Sequence, residues 1–257
     1  MPLFVRSPQG RLIRGVTLVA SAALAAAALQ FAWDQPFVAA LLLCGVLTLV
    51  GARWIARRRF HRLLRSGDVA SVLQRWSPSL KRIPHPTTMA PLMTATAFAA
   101  YGWIEEARAA LEEAERGPAW DAAIDHRLFV EALLLTLEGD RDAAMVQAAR
   151  LARLPLPPMG PGLRARVQLL RLAAGAFARA FAHQAVSGDG DLLEHASLAS
   201  PLVFWAMRYA AAVVAVDRGD RDKVRELLAQ APAWPVESAF RAFHDEIAQR
   251  ISIVQTH

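Results

Sequence analysis

The chain has 257 residues, with 29 Lys and Arg against 23 Asp and Glu and a hydrophobic content of 54%. This composition excludes general disorder, and a single cysteine, Cys44, excludes a disulfide framework and any multi-cysteine metal site. The charge is uneven, because residues 1–66 carry nine arginines and one acid whereas residues 67–257 carry a net charge of −2. The basicity therefore belongs to the N-terminal quarter, and we expect no nucleic-acid partner for the remainder.

Two apolar stretches separated by a short turn dominate residues 1–66. Residues 15–33 contain no charged side chain, and residues 37–56 contain only Arg53. About 20 mostly apolar residues cross the hydrocarbon core, and a terminal arginine can extend its charged end to the interface. The turn, residues 34–36, is too short for anything except a tight hairpin and ends in proline, which suits a helix start. The sequence predicts a two-span membrane hairpin, with spans at about 15–33 and 37–56.

Arginine placement predicts the orientation of this hairpin. Three arginines precede the first span and six lie at or after the end of the second, whereas the turn has none. Because positive residues stay cytoplasmic, both termini are expected inside, and the bias toward arginine and alanine indicates a bacterial inner membrane. We expect the basic run 57–65 to form a juxtamembrane helix that attracts anionic lipid headgroups. The residues expected at the membrane interface are Trp33, Arg53, Trp54, Arg57, Arg58, Arg59, Arg62 and Arg65.

Other interpretations of this segment remain open. A basic start followed by an alanine-rich apolar stretch is also typical of a cleaved signal peptide. Both stretches could instead be buried helices of a soluble protein, in which case the flanking charge asymmetry is accidental. The basic run could serve as a topology determinant without binding lipid.

Residues 67–257 are predicted to be all helical, because alanine, leucine, arginine and glutamate dominate and no alternating strand pattern occurs. A turn followed by a short amphipathic helix recurs at Gly67, Gly102, Gly139 and Gly219, with spacings of 35, 37 and 80 residues. A period in the high thirties indicates a helical repeat. Each glycine is expected at positive φ, and Asp140 and Asp220 are expected to cap the following helices.

The pattern predicts ten helices and one linker. We expect the linker, or an ordered loop, over Lys81–Pro91 because it holds three prolines. The final helix is expected to be an end cap with Glu237, Arg241, Asp245, Glu246 and Arg250 outward. The expected helices lie at about 57–75, 87–100, 103–116, 120–137, 140–153, 162–186, 190–198, 201–217, 220–230 and 236–252.

The repeated units resemble tetratricopeptide repeats. Gly102, Ala107, Leu111, Ala114 and Pro118 fit the positions of the turn glycine, the small residues and the closing proline. The units at 139 and 219 fit less fully, and residues 155–200 depart from the pattern. The resemblance implies an α-solenoid of antiparallel helix pairs over residues 67–257, so that the whole chain is all-α.

In that family the first helix of each pair lines a concave groove that binds protein partners. Carried over by position, the mostly apolar lining implies an amphipathic helix or apolar peptide as partner. The alternative is that these residues pack against neighbouring helices or the chain's own C-terminus. The candidate groove residues are Leu92, Thr96, His126, Phe129, Leu133, Tyr209 and Val213.

No catalytic or metal-binding motif occurs in the sequence. The seven histidines are scattered along the sequence, and the pairing of His183 with His195 as metal ligands across one turn is not favoured. We interpret Gly188-Asp189-Gly190 as a flexible turn. We therefore expect no enzyme, no cofactor and no metal. The expected function is a membrane-anchored scaffold or adaptor that binds protein partners. The alternative is a structural or accessory subunit of an oligomeric inner-membrane complex (channel, transporter or secretion type), assembled through the hairpin and including homo-oligomers.

Overall fold

A computed structural model describes Gln30, residues 35–156 and residues 158–253. From residue 36 onward these residues form eleven α-helices and one 3-10 turn, with no strand in the described part. The all-α prediction is confirmed. The helices are α1 (Pro36–Arg65), α2 (Val69–Leu80), α3 (Pro86–Ala100), α4 (Ile104–Glu115), α5 (Ile124–Glu138), α6 (Arg141–Arg153), α7 (Pro161–Phe181), α8 (Asp189–Ala199), α9 (Phe204–Asp217), α10 (Arg221–Leu228) and α11 (Ala239–Ile253), with the 3-10 turn at Pro201–Val203.

The chain divides into two compact units, one up to Arg59 and one from Phe60 onward. The last turn of α1 belongs to the second unit, where Leu64 is 4% exposed. The Tyr101 hydroxyl donates to the Leu64 carbonyl at 2.6 Å, and the Trp205 indole N–H donates to the Arg65 carbonyl at 2.9 Å. Carbonyls in the last turn of a helix have no intrahelical partner, so these two aromatic side chains complete the end of α1.

The predicted helix over 57–75 is interrupted in the structure. Gly67 has φ +80, and the Asp68 carboxylate accepts from the Ser71 amide at 3.0 Å, which starts α2. The same device was recognised in the sequence at two later turns and is confirmed there. Asp140 caps α6 by accepting from Ala143, and Asp220 caps α10 by accepting from Lys223, each after a glycine at positive φ.

The predicted linker over Lys81–Pro91 is mostly helix. Helix α3 begins at Pro86, and Pro91 lies inside it, so the loop is confined to residues 81–85. Proline is tolerated in a first helical turn because the N–H that it lacks has no intrahelical partner there. Helix α7 ends five residues before its predicted end of 186, because His183 turns the chain at φ +56.

Helix α9 is the centre of the helical unit. It packs against α3, α7, α8, α10 and α11, and ten of its fourteen residues are buried. A smaller hydrophobic cluster joins α5, α6 and α7. The five polar residues predicted to point outward in the C-terminal region are all exposed, as expected for an end cap.

The N-terminal and C-terminal parts of this unit are in direct contact. The Ser238 hydroxyl donates to the Tyr101 carbonyl at 2.7 Å, and the Ala239 amide donates to the Gly102 carbonyl at 2.8 Å. Trp234 packs edge-on against the Tyr101 ring, with centroids 6.3 Å apart. In a solenoid each repeat contacts its sequence neighbours, whereas these contacts join residues about 137 positions apart.

Candidate partner-binding pocket

Three of the predicted groove residues line one pocket. Thr96 comes from α3, and His126 and Phe129 come from α5. The pocket has a volume of about 240 Å³. Its other lining residues are Met93, Asp125, Leu151, Met159, Val167, Leu170, Arg171, Ser200, Leu202 and Val203. Sequence-distant helices thus form one mainly apolar concavity.

Phe129 is the central apolar side chain of this pocket. It is half-buried and packs against both hydrophobic clusters of the helical unit. An aromatic ring held by packing on two sides loses little conformational freedom when a partner covers its remaining surface. Phe129 therefore has the properties of an interface hot spot.

Arg171, Asp125 and Thr96, three polar residues of the pocket wall, form hydrogen bonds within the protein. Arg171 is 5% exposed and donates to Asp125 Oδ1 at 2.5 Å and to the Leu154 carbonyl at 2.6 Å. The Thr96 hydroxyl donates to the Leu92 carbonyl at 2.8 Å. Arg171 Nε is buried without a hydrogen-bond partner in the described part of the chain, whereas the other donors of Arg171 and Thr96 named here are satisfied internally, so most of the wall favours an apolar ligand.

His126 keeps an exposed edge at the rim of the pocket. Its pKa is lowered because the surrounding protein displaces water from the imidazole, and the nearby charge of Asp125 opposes this shift without cancelling it. The imidazole is therefore neutral at pH 7. A neutral rim residue suits an apolar partner.

The other four candidate groove residues lie elsewhere. Leu92, Leu133 and Tyr209 are core residues with no exposed surface. Tyr209 stacks on Phe240 of α11 with ring centroids 4.8 Å apart, so the C-terminal helix fills the space beside it. Val213 lines a separate pocket of about 210 Å³ next to α11. For Tyr209 and Val213, this arrangement corresponds to the alternative in which the candidate groove residues lie against the chain's own C-terminal helix.

Sequence reasoning missed the wall contributed by α7. Val167, Leu170 and Arg171 follow i, i+3, i+4 spacing on one face of that helix and all line the pocket. The spacing was visible in the sequence. Residues 155–200 were instead interpreted as a departure from the repeat, and so no role was assigned to this helix.

The predicted membrane-interface residues lie on or near α1. Trp33 lies outside the described residues, as does the first predicted span apart from Gln30, and the side chain of Arg57 is also outside the described part. Arg53, Arg58, Arg59, Arg62 and Arg65 are exposed, as is Trp54, whose ring lies 3.7 Å from the Arg58 guanidinium carbon.

One helix of the described part, α1, is long and apolar enough to cross a membrane by length and composition. No residue of its most apolar stretch is buried, which separates it from a core helix. A signal sequence would pass the same test.

The histidines and acids do not assemble into a metal centre in the described part of the chain. His183 Nδ1 pairs with Asp217 at 3.0 Å, and His195 Nδ1 bonds the Asp191 carbonyl at 2.7 Å, so the two histidines have separate partners. Asp189 is a buried ion-pair residue of the predicted flexible turn.

Compared with known proteins, the chain matches no protein family, no curated relative and no solved structure. Functional inference therefore depends on the pocket and on the charge distribution.

Proposed function

We propose that this chain is a membrane-anchored adaptor whose helical unit binds an amphipathic helix of a partner protein. The observation that carries the proposal is the convergence of Thr96, His126 and Phe129 on one apolar pocket. A volume of about 240 Å³ accommodates one large apolar side chain of such a helix. The amphipathic helix places that side chain in the pocket and keeps its polar face in water.

The anchor is a two-span hairpin in a bacterial inner membrane, with both termini cytoplasmic. The arginines that flank the spans support this topology, and the exposed apolar surface of α1 supports a lipid environment for the second span. The cytoplasmic unit is a divergent tetratricopeptide-like array of helix pairs. Four glycine turns at positive φ, three of them followed by an aspartate cap, support that assignment.

A charge placed at the pocket rim tests the binding function. His126→Glu puts a carboxylate against apolar walls, where partner docking would have to desolvate it. We expect capture of the partner by the full-length protein from its native membranes to fall about tenfold or more, which corresponds to at least about 1.4 kcal/mol. Quantitative mass spectrometry of the captured proteins measures the loss.

Leu172→Glu is the matched control, because Leu172 lies on α7 with 46% of its surface exposed and does not line the pocket. The proposal predicts that a specific partner is lost with His126→Glu and with Phe129→Ala but is retained with Leu172→Glu. Equal capture by all three variants would contradict it.

The second candidate is a subunit of an oligomeric membrane complex, which the exposed apolar side chains of α1 favour. Leu41 and Leu49 are 75% and 72% exposed on that helix. Gentle detergent extraction followed by mass measurement separates the two functions. A stable oligomer that survives deletion of residues 67–257 supports the subunit, whereas a monomer that captures its partner through those residues supports the adaptor.

A further inference from the structure

Two arginines share the ring of Phe204. The guanidinium carbon of Arg65, at the end of α1, lies 4.4 Å from the ring centroid, and that of Arg208, one turn along α9, lies 5.1 Å from it. The two guanidinium groups therefore lie within about 10 Å of each other. These residues are 143 positions apart in the sequence, so the fold creates the pair.

The fold holds this arrangement firmly. Phe204 is 4% exposed and packs edge-on against Trp205, with ring centroids 4.9 Å apart. The Trp205 indole donates to the Arg65 carbonyl at 2.9 Å, so the neighbour of Phe204 fixes the backbone that carries one of the arginines. Arg208 is half-buried on the same helix.

Neither guanidinium has an ion pair or a hydrogen bond within the described part of the chain. The carboxylates that influence Arg208 are Glu194 and Glu226, and Lys223 binds both of them, at 2.9 and 3.3 Å. Burial lowers the pKa of Arg208, and the positive charge of Arg65 acts in the same direction. Two guanidinium groups thus contact one ring, and neither has a carboxylate of its own, because Lys223 binds the two acids near Arg208.

A position at a helix C-terminus explains Arg65 alone, because cations are favoured at that end of the helix dipole. It does not explain Arg208, which lies inside α9. Arg65 and Arg208 each have a planar guanidinium group whose N–H donors have no acceptor in the described part of the chain. Such groups match the oxygens of a phosphate group.

We propose that Arg65 and Arg208 form a binding site for a phosphate group. Two sources supply that chemistry, an anionic phospholipid headgroup and a free phosphate. The exposed arginines that precede Arg65 along α1 favour the lipid source, and that choice of source depends on the proposed membrane attachment. The phosphate site itself is independent of the adaptor pocket.

The test uses full-length protein in a neutral detergent. One arm adds phosphatidylglycerol to the micelles and the other adds inorganic phosphate at constant ionic strength. Binding is read as a dose-dependent rise in melting temperature. Stabilisation by the lipid alone assigns the headgroup, and stabilisation by phosphate alone assigns the free anion.

We expect Arg65→Gln and Arg208→Gln each to weaken binding about fivefold, which corresponds to about 1 kcal/mol for one basic residue at a membrane surface. Arg208→Lys, which keeps the charge but loses the planar fork, is expected to bind with intermediate strength. The matched control is Arg166→Gln, because Arg166 is an exposed arginine of α7 with no ion pair among the described residues.

Unchanged binding by Arg208→Gln in both arms would overturn the proposal. So would an equal loss with Arg166→Gln, because it would indicate attraction by net charge alone. If the proposed partner were not captured, the lipid-binding and phosphate-binding measurements would still be valid, because partner capture depends on His126 and Phe129. Release of the protein from native membranes by an alkaline wash would instead contradict the membrane attachment.

Discussion

Asp189 is a buried carboxylate with three hydrogen-bond donors. It is 3% exposed and accepts from Arg179 Nε at 2.9 Å, from Arg179 Nη2 at 2.6 Å and from the Val186 amide at 2.9 Å. Burial by itself would raise the pKa of Asp189, but these hydrogen bonds outweigh burial and the pKa is lowered. This one side chain therefore joins the end of α7 to the start of α8.

The lowered pKa of Asp189 predicts a specific pH dependence of stability. Asp189→Asn is expected to lower the free energy of unfolding by about 2 kcal/mol at pH 7, because charge-assisted hydrogen bonds are lost. The contribution of the native carboxylate is complete above the unfolded-state pKa of about 3.9 and is lost as the pH falls through the lower folded-state pKa. The difference in the free energy of unfolding between the native protein and Asp189→Asn should therefore become smaller below about pH 4.

Urea unfolding of the full-length protein in detergent, at neutral and acidic pH, measures this gap. Asp191→Asn is the control, because Asp191 lies on the same helix with an exposed side chain. A gap that is the same at both pH values would exclude the proposed role of ionised Asp189.

The turns that join α3 to α4 and α5 to α6 use the same backbone device in different surroundings. Gly102 has φ +75 and Gly139 has φ +87. A Cβ on Gly139 would meet nothing within 4 Å, whereas a Cβ on Gly102 would lie 2.9 Å from the Ser238 hydroxyl and 3.2 Å from the Ala239 amide nitrogen. The Gly139 turn therefore has open space beside it, whereas the Gly102 turn presses against the C-terminal segment.

This difference predicts unequal effects of the same substitution. Gly139→Ala should destabilise the protein by about 1 kcal/mol, the strain of a left-handed alanine. Gly102→Ala should cost about 3 kcal/mol, because a steric clash adds to the strain. Thermal unfolding of both full-length variants measures the difference, and equal melting temperatures would show that the C-terminal segment does not pack against this turn.

Element boundaries that depend on local hydrogen bonds were predictable from the sequence. The aspartate caps at 140 and 220 and the positive φ of the four turn glycines follow from residues a few positions apart. The extent of the linker predicted over Lys81–Pro91 was not, because three prolines in eleven residues are typical of a loop, and the structure instead uses Pro86 in the first turn of α3. The pocket wall on α7 was missed for a related reason, since a broken repeat register hid an ordinary amphipathic face.

At the scale of the whole helical unit, contacts between distant parts of the chain determine the packing. Ser238 and Ala239 bond to Tyr101 and Gly102, and Phe240 is fully buried against the rings of Tyr209 and Trp234. No local sequence pattern predicts these pairings, because Ser238 lies 137 positions from Tyr101, and Phe240 lies 31 positions from Tyr209. For this reason the sequence placed Tyr209 at a groove, and the structure places it in the core.

These contacts predict long-range effects of a single core change. Phe240→Ala should destabilise the unit by about 4 kcal/mol through the cavity it leaves. Amide hydrogen exchange should then accelerate around residues 97–103 as well as in α9 and α11, because the C-terminal segment covers that turn. Mass spectrometry of the exchanged full-length protein locates the change.

Leu151→Ala is the control for that experiment, because Leu151 lies in the smaller cluster between α5, α6 and α7. Its effect should centre on those three helices. The contrary result is that Phe240→Ala accelerates exchange in α11 and leaves residues 97–103 unchanged. That result would show that the contacts of Ser238 and Ala239 with Tyr101 and Gly102 do not stabilise the unit, and that only elements adjacent in sequence are coupled.

The completed end of α1 has a consequence for the order of events during synthesis. This helix leaves the ribosome early, yet the donors for its last carbonyls are the side chains of Tyr101 and Trp205. A nascent chain that stops short of residue 205 has the whole of α1 but lacks the donor for the Arg65 carbonyl. The final turn of an early helix therefore matures only after about four fifths of the chain has been translated.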